Sequence, residues 1–136
     1  MTAALVHAAV IGIGGFLGAL ARYGVGGLVH RIPGTGSFPY GTLVVNLLGC
    51  LLIGVFAALM EERQMFATET RLFILVGLLG GFTTFSTFGY ESLVLLRESH
   101  YLRLLANVGI QVVGGIALVW LGYTLVMRTF PRVAGF

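Results

Sequence analysis

Gly80-Gly81-Phe82-Thr83-Thr84-Phe85-Ser86-Thr87-Phe88 lies in the middle of a long apolar segment, and membrane burial does not account for it. Four of these nine residues carry hydroxyls, three are phenylalanines at three-residue spacing, and a Gly-Gly pair opens the run. A helix arriving from Leu72 is expected to loosen or break here. Unpaired N–H and C=O groups at membrane depth are tolerated only inside protein or beside a water-filled cavity. A break at this position therefore points to an ion or solute site.

The chain around it reads as membrane protein. Of 136 residues, 57% are hydrophobic and 10% charged, and the mean hydropathy is +0.98, which excludes an ordinary soluble domain. The apolar residues fall into blocks near the roughly 20 residues that cross about 30 Å of hydrocarbon. Four segments result, at about Leu5–Val29, Tyr40–Met60, Arg71–Arg97 and Leu102–Arg128, forming one transmembrane domain over residues 1–136. Met1 to Val10 lacks a basic leader and a small-residue cleavage site, so the first segment is expected to remain in the mature chain. The stretch His30 to Pro39, with two prolines and two glycines, reads as an interfacial loop. Thr129 to Phe136 reads as a short tail without a site.

Gly14 and Gly18 make a GxxxG in the first segment, the spacing that lets helix backbones approach closely. In the second, Thr42, Asn46, Gly49 and Ile53 share one helical face. Asn107 and Gln111 stand one turn apart in the fourth, whose end carries Trp120 and Tyr123 as an aromatic belt would.

The formal charge of +3 with a pI near 9.5 does not indicate nucleic acid, because the basic residues are single arginines near segment ends, where they anchor to headgroups. With four spans both termini share a side. Arg63, Arg71, Arg128 and Arg132 then lie on the terminal side and Arg31, Arg97 and Arg103 on the other, a near balance that permits insertion in both directions. Cys50 is the single cysteine and reads as a buried, inert thiol.

No HExxH, Cys/His cluster, GxSxG or Walker lysine occurs, and the chain has no aspartate, so an enzyme is not expected. Glu91 is the one carboxylate inside an apolar block; it either serves proton coupling or lies near enough to the membrane face to reach water or an arginine. Arg22 must snorkel to the interface or face a wet vestibule or a carboxylate. Asn46, Asn107 and Gln111 are either interhelical hydrogen-bond partners or neutral groups lining a path. Neutral donors suit a small hydrated anion, replacing its water without trapping it as a fixed charge would. The phenylalanines would ordinarily pack. Set among Thr83, Thr84, Ser86 and Thr87, however, their positive ring edges can stabilise a partly dehydrated anion, while carbonyls of a broken backbone suit a hard cation.

Gly18-Ala19-Leu20-Ala21-Arg22-Tyr23, Tyr40-Gly41-Thr42-Leu43-Val44-Val45-Asn46-Leu47-Leu48-Gly49, and Gly80 through Phe88 followed by Glu91 together resemble the small bacterial fluoride channels of the Fluc/CrcB type, over essentially the whole chain. The resemblance implies an all-α membrane protein with four transmembrane helices per subunit, the third broken near Gly80 to Thr84. It further implies an antiparallel, dual-topology homodimer in a bacterial cytoplasmic membrane, with two fluoride pores and one structural Na⁺ at the dimer interface. By motif position Phe85 and Phe88 are the pore phenylalanines and Asn46 the pore asparagine. The carbonyls of Gly80 and Thr83 from both subunits are the Na⁺ ligands. Thr42, Ser86 and Thr87 are supporting polar groups, Asn107 and Gln111 polar lining, and Arg22 lies toward a vestibule. Phe82 reads as packing. The competing expectations are a proton-coupled small-molecule exporter of four-helix dual-topology type, which wants an ionisable carboxylate in its chamber, and a non-transporting assembly subunit, which has no need of the break.

Overall fold

The computed structural model describes residues 2–31, 38–62 and 66–129, with Glu61 and Glu62 described by their backbone. Residues 32–37 of the expected loop, Arg63, Arg132 and residues 130–136 of the tail lie outside the described residues. Helix α1 is Thr2–His30, and α2 is Tyr40–Ala57 followed by a wider π-type turn at Ala58–Glu62. Helix α3 covers residues 68–82, wound in the wider π form over Leu72–Leu79, α4 is Phe85–Arg97, and α5 is Tyr101–Thr129 with a π-type turn at Ile110–Gly114. Helices α3 and α4 are two halves of one span, Thr68–Arg97, so four helical spans are long and apolar enough to cross a membrane. The second span coincides with the expected segment and the third ends where expected, while the remaining ends lie one to three residues beyond the expected ones.

Between helices in lipid there is little hydrophobic driving force, so close van der Waals contact must hold the bundle. Helix α1 lies against α3 and the adjoining face of α2; α2 lies against the second half of α5. The α1–α3 seam is built on glycine. A Cβ on Gly14 would come within 2.6 Å of the Phe73 carbonyl, and one on Gly18 would run into the Leu78 carbonyl and the Phe82 amide. From the other side, a Cβ on Gly81 would meet the Gly15 carbonyl at 2.5 Å. The GxxxG of the first segment is therefore a true contact surface. Helix α2 occupies the middle of the molecule, with Leu43, Val45, Gly49 and Gly54 buried, whereas α1 and α5 turn Phe16, Leu20, Leu102, Val113 and Ile116 outward.

The break in the third span falls at the end of the expected range. Gly80 and Gly81 are helical; the missing side chain of Gly81 serves the contact with α1, where a Cβ would run into Gly15. The backbone leaves the helix at Thr83 (φ −83°, ψ 158°) and Thr84 (φ −150°, ψ 111°), an extended conformation that β-branched residues favour. Helix α4 then starts at Phe85 with Thr84 as its N-cap, the Thr84 Oγ1 accepting from Thr87 N–H at 3.3 Å. The joint changes the chain's neighbours: α3 packs on α1, while α4 packs on the Tyr101–Gly109 part of α5. A tight turn through Ser99, in the left-handed region at φ 59°, links α4 to α5.

Candidate functional site at the broken span

At the joint, the backbone hydrogen bonds lost by the helix are recovered from a side chain of α2. Thr84 N–H donates to Asn46 Oδ1 at 2.9 Å, and Asn46 Nδ2 donates back to the Thr84 carbonyl at 3.2 Å. Asn46 Nδ2 also donates to Gln111 Oε1 at 2.7 Å. The chain continues from Gln111 Nε2 to Asn107 Oδ1 at 3.0 Å and from Asn107 Nδ2 to Ser92 Oγ at 3.1 Å. Asn107 is 0% exposed and is the one fully buried polar side chain among the described residues. These bonds satisfy an extended segment at membrane depth, as the absence of water there demands.

A second set of hydroxyls gathers on Thr84 Oγ1, which lies 3.0 Å from Thr87 Oγ1 and 3.3 Å from Ser86 Oγ. Thr83 turns the other way, its Oγ1 donating to the Leu79 carbonyl at 3.0 Å. Two helical acceptors lose their usual donors in consequence. In an unbroken helix Thr84 N–H would serve the Gly80 carbonyl and Thr87 N–H the Thr83 carbonyl. Here they serve Asn46 Oδ1 and Thr84 Oγ1 instead.

Two cavities meet at Thr84. The smaller, about 310 Å³, lies between α2, α3, α4 and α5 and is lined by Asn46, Gly49, Cys50, Ile53, Gly80, Thr83, Phe85, Phe88 and Gln111 among others. Among the described residues no charged side chain lines it. The larger, about 880 Å³, opens beside the C-terminal end of α1 and the start of α2, and is lined by Arg22, His30, Arg31, Thr42, Thr87 and Glu91 among others. Arg22 thus faces a polar hollow. Thr42 Oγ1 donates to Glu91 Oε1 at 2.7 Å, and Glu91 Oε2 has no hydrogen-bond partner among the described residues.

Phe85 and Phe88 flank the smaller cavity with ring centroids 5.4 Å apart and planes inclined at 53°. Phe88 is buried, but Phe85 is 82% exposed, so the ring that starts α4 lies on the outer face of the molecule. Ser86 is also exposed, and Phe82 is buried in the packing. Cys50 is half-buried rather than enclosed, its sulfur against Gly115.

Of the residues singled out in the sequence, Asn46, Gln111, Phe85, Phe88, Gly80 and Thr83 come together on the smaller cavity, and Thr42, Thr87 and Arg22 on the larger. Asn107 lies behind Gln111 and borders neither. Two residues without an assigned role prove central. Thr84 is both N-cap and boundary of the two cavities, and a threonine just before a helix start is a recognisable cap signal. Ser92, which terminates the amide chain, has no signature in sequence. The assembly as a whole sets neutral amide and hydroxyl groups and two phenyl rings around an uncharged cavity, next to a larger one lined by Arg22 and Arg31 as well as Glu91.

The sequence profile of the family described as CrcB-like protein, Camphor Resistance (CrcB), matches residues 9–123. A protein of Nitratidesulfovibrio vulgaris named fluoride-specific ion channel FluC is 46% identical over 113 residues, covering 83% of this chain and 90% of that relative. Proteins of the same name from Solidesulfovibrio magneticus, 47% identical over 115 residues (85% and 91% covered), and from Methylobacillus flagellatus, 42% over 120 residues (88% and 94%), are similar along nearly their full length. With the matched region spanning all four membrane-crossing helices and the joint between α3 and α4, the chain belongs to the CrcB family of multi-pass membrane proteins.

Proposed function

We propose that this chain is a fluoride-selective ion channel that lets fluoride leave the cytoplasm by passive electrodiffusion. Such a channel in the cytoplasmic membrane of a bacterium protects a cell in which HF enters and ionises. The observation that carries the reading is the joint at Thr83–Thr84, held open by Asn46, which sets Phe85 and Phe88 beside an uncharged cavity of neutral donors. Fluoride holds its water tightly, so a narrow path must offer compensating positive partial charge without a fixed cation that would retain the ion. Ring edges, amides and hydroxyls meet both demands. Arg22 and Arg31 raise the local anion concentration at the mouth of the larger cavity, an effect of charge focused by low-dielectric walls.

The working unit of this proposal is an antiparallel, dual-topology homodimer with two pores. Phe85, exposed on the single subunit, is in that arrangement covered by the partner. A structural Na⁺ at the interface fits the chain's own donor set: the Gly80 and Thr83 carbonyls are released from their helical donors, and oxygen is the ligand hard cations prefer. Bound there, the ion would supply positive charge that ties the two joints together.

A proton-coupled small-molecule exporter is the second reading, favoured by one observation, the unpartnered Glu91 Oε2 at the larger cavity. Efflux from proteoliposomes, followed with a fluoride electrode beside chloride controls and with or without an imposed pH gradient, separates the two. Fluoride release driven by its own gradient and indifferent to the pH gradient is expected. Release that requires the pH gradient would overturn the channel reading in favour of the exporter.

A further inference from the structure

Most of the glycines that a methyl would crowd face the backbone of a neighbouring helix, but Gly41, buried in the first turn of α2, faces a side chain. A Cβ there would come within 2.8 Å of His30 Nε2 and 3.3 Å of His30 Cδ2. The last residue of α1 thus lays its imidazole over the start of α2, in the wall of the larger cavity. Gly41 leaves the room for it. His30 is itself exposed, so the ring exchanges protons freely with water.

The groups that face this ring come from three elements. On α1 and just beyond its end they are Arg22, Tyr23 and Arg31, on α4 Glu91, and α2 brings no titratable side chain to the cavity. Arginine keeps its charge at any ordinary pH, and a tyrosine hydroxyl is ordinarily neutral well above pH 8. Histidine is the side chain whose charge ordinarily changes between about pH 5 and 8. With Glu91 ionised, two arginines against one glutamate leave the cavity a single positive charge, and a proton on His30 doubles it. We propose that His30 sets the rate at which the anion enters according to pH: protonated, it raises the concentration of fluoride in the larger cavity; neutral, it leaves Arg22 and Arg31 to act alone against Glu91. A charge in a hollow with low-dielectric walls acts on entry in this way. His30 belongs to the entrance and not to the cavity beside Phe85 and Phe88. The proton stays on the imidazole while the anion passes, so none is carried across. The inference rests on the fluoride-channel reading.

Initial fluoride efflux from proteoliposomes tests it, at low fluoride and with the same pH on both faces of the membrane, at about pH 5.5 and about pH 8. Protein-free liposomes at each pH give the leak of HF to be subtracted. Wild type is expected to release fluoride about two- to fivefold faster at the lower pH, the scale of one unit charge acting over several ångströms in wet surroundings. The difference should shrink when an impermeant salt shortens the screening length. His30→Gln, which stays neutral, is expected to run at the slower rate at both pH values, and His30→Lys, which stays charged, at the faster rate at both. The substituted side chain stands at an exposed helix end, and size-exclusion chromatography checks that assembly is unchanged. Equal wild-type rates at the two pH values overturn the proposal. So does a pH response that survives in His30→Gln, which would assign the proton to Glu91, or one that salt leaves at full size, which would assign it to a change of shape. Wild-type protein without fluoride efflux at either pH would instead sink the channel reading, and this inference with it.

Discussion

The two phenylalanines that begin α4 differ in surroundings although they differ by only one helical turn in position. Phe88 is buried, while Phe85 is 82% exposed and its ring inclines 53° to its neighbour's. Replacing either by isoleucine keeps apolar bulk and removes the ring quadrupole. Phe85→Ile and Phe88→Ile are each expected to slow fluoride efflux by about tenfold or more, corresponding to roughly 1.4 kcal/mol of lost stabilisation of the moving ion. Stability should separate them: thermal unfolding in detergent is expected to fall for Phe88→Ile, which disturbs a packed site, and to change little for Phe85→Ile. Wild-type flux in both, in protein of unchanged assembly, would mean that the rings merely pack.

Among the elements, the α1–α3 pair depends on bare backbone meeting bare backbone. A methyl on Gly18 would collide with the Leu78 carbonyl and the Phe82 amide, atoms of a helix that cannot swing aside, whereas a methyl on Gly12 would meet nothing within 4 Å. Gly18→Ala is therefore expected to destabilise by about 1–3 kcal/mol, the usual cost of overpacking. Gly12→Ala should be neutral or stabilising by up to about 1 kcal/mol through helix propensity. Chemical denaturation of the two variants in the same detergent measures the contrast, and equal stabilities would show that the seam yields. At the joint between α3 and α4, Asn46→Leu removes the acceptor of Thr84 N–H. That N–H should then return to the Gly80 carbonyl. Amide hydrogen exchange at Thr84, together with loss of any dependence of dimer stability on Na⁺, reads out the closure; a Na⁺ effect that survives in Asn46→Leu would remove the Gly80 carbonyl from the proposed ligand set.

At the level of the whole molecule, Phe85 and Ser86 stand exposed, on a face that the proposed dimer would cover. The near balance of arginines, four on the terminal side against three, is the charge pattern that the proposed antiparallel dimer requires, since it favours neither orientation strongly. Arg71 has a further role, its guanidinium donating to the Met60 carbonyl at 2.7 Å and closing the end of the second span. Adding several arginines to one side of the protein is expected to fix its orientation and abolish flux when that variant is expressed singly. Coexpression with the oppositely biased variant should restore it. Full flux from one fixed orientation would refute the antiparallel arrangement.

Length and hydropathy were sufficient, from the chain by itself, to determine four membrane-crossing helices, because the hydrocarbon thickness imposes its dimension on any apolar segment. The hydroxyl-rich run likewise announced that the third would break. Where it breaks was decided by the tertiary structure. Gly80 and Gly81 look like the weak point in isolation, yet both are helical, α1 approaches Gly81 so closely that glycine there is a contact surface, and the helix opens at Thr83 and Thr84 instead. Asn46, Asn107 and Gln111 were visible as polar residues in apolar surroundings, but their division of labour was not. It follows from a backbone N–H finding its acceptor 38 residues away along the chain, and from Ser92 standing opposite a buried amide on a neighbouring helix. Periodicity reports what a segment prefers locally. Which donor meets which acceptor is a property of the packed bundle, where each polar group must be satisfied by whatever the adjoining helix brings within reach.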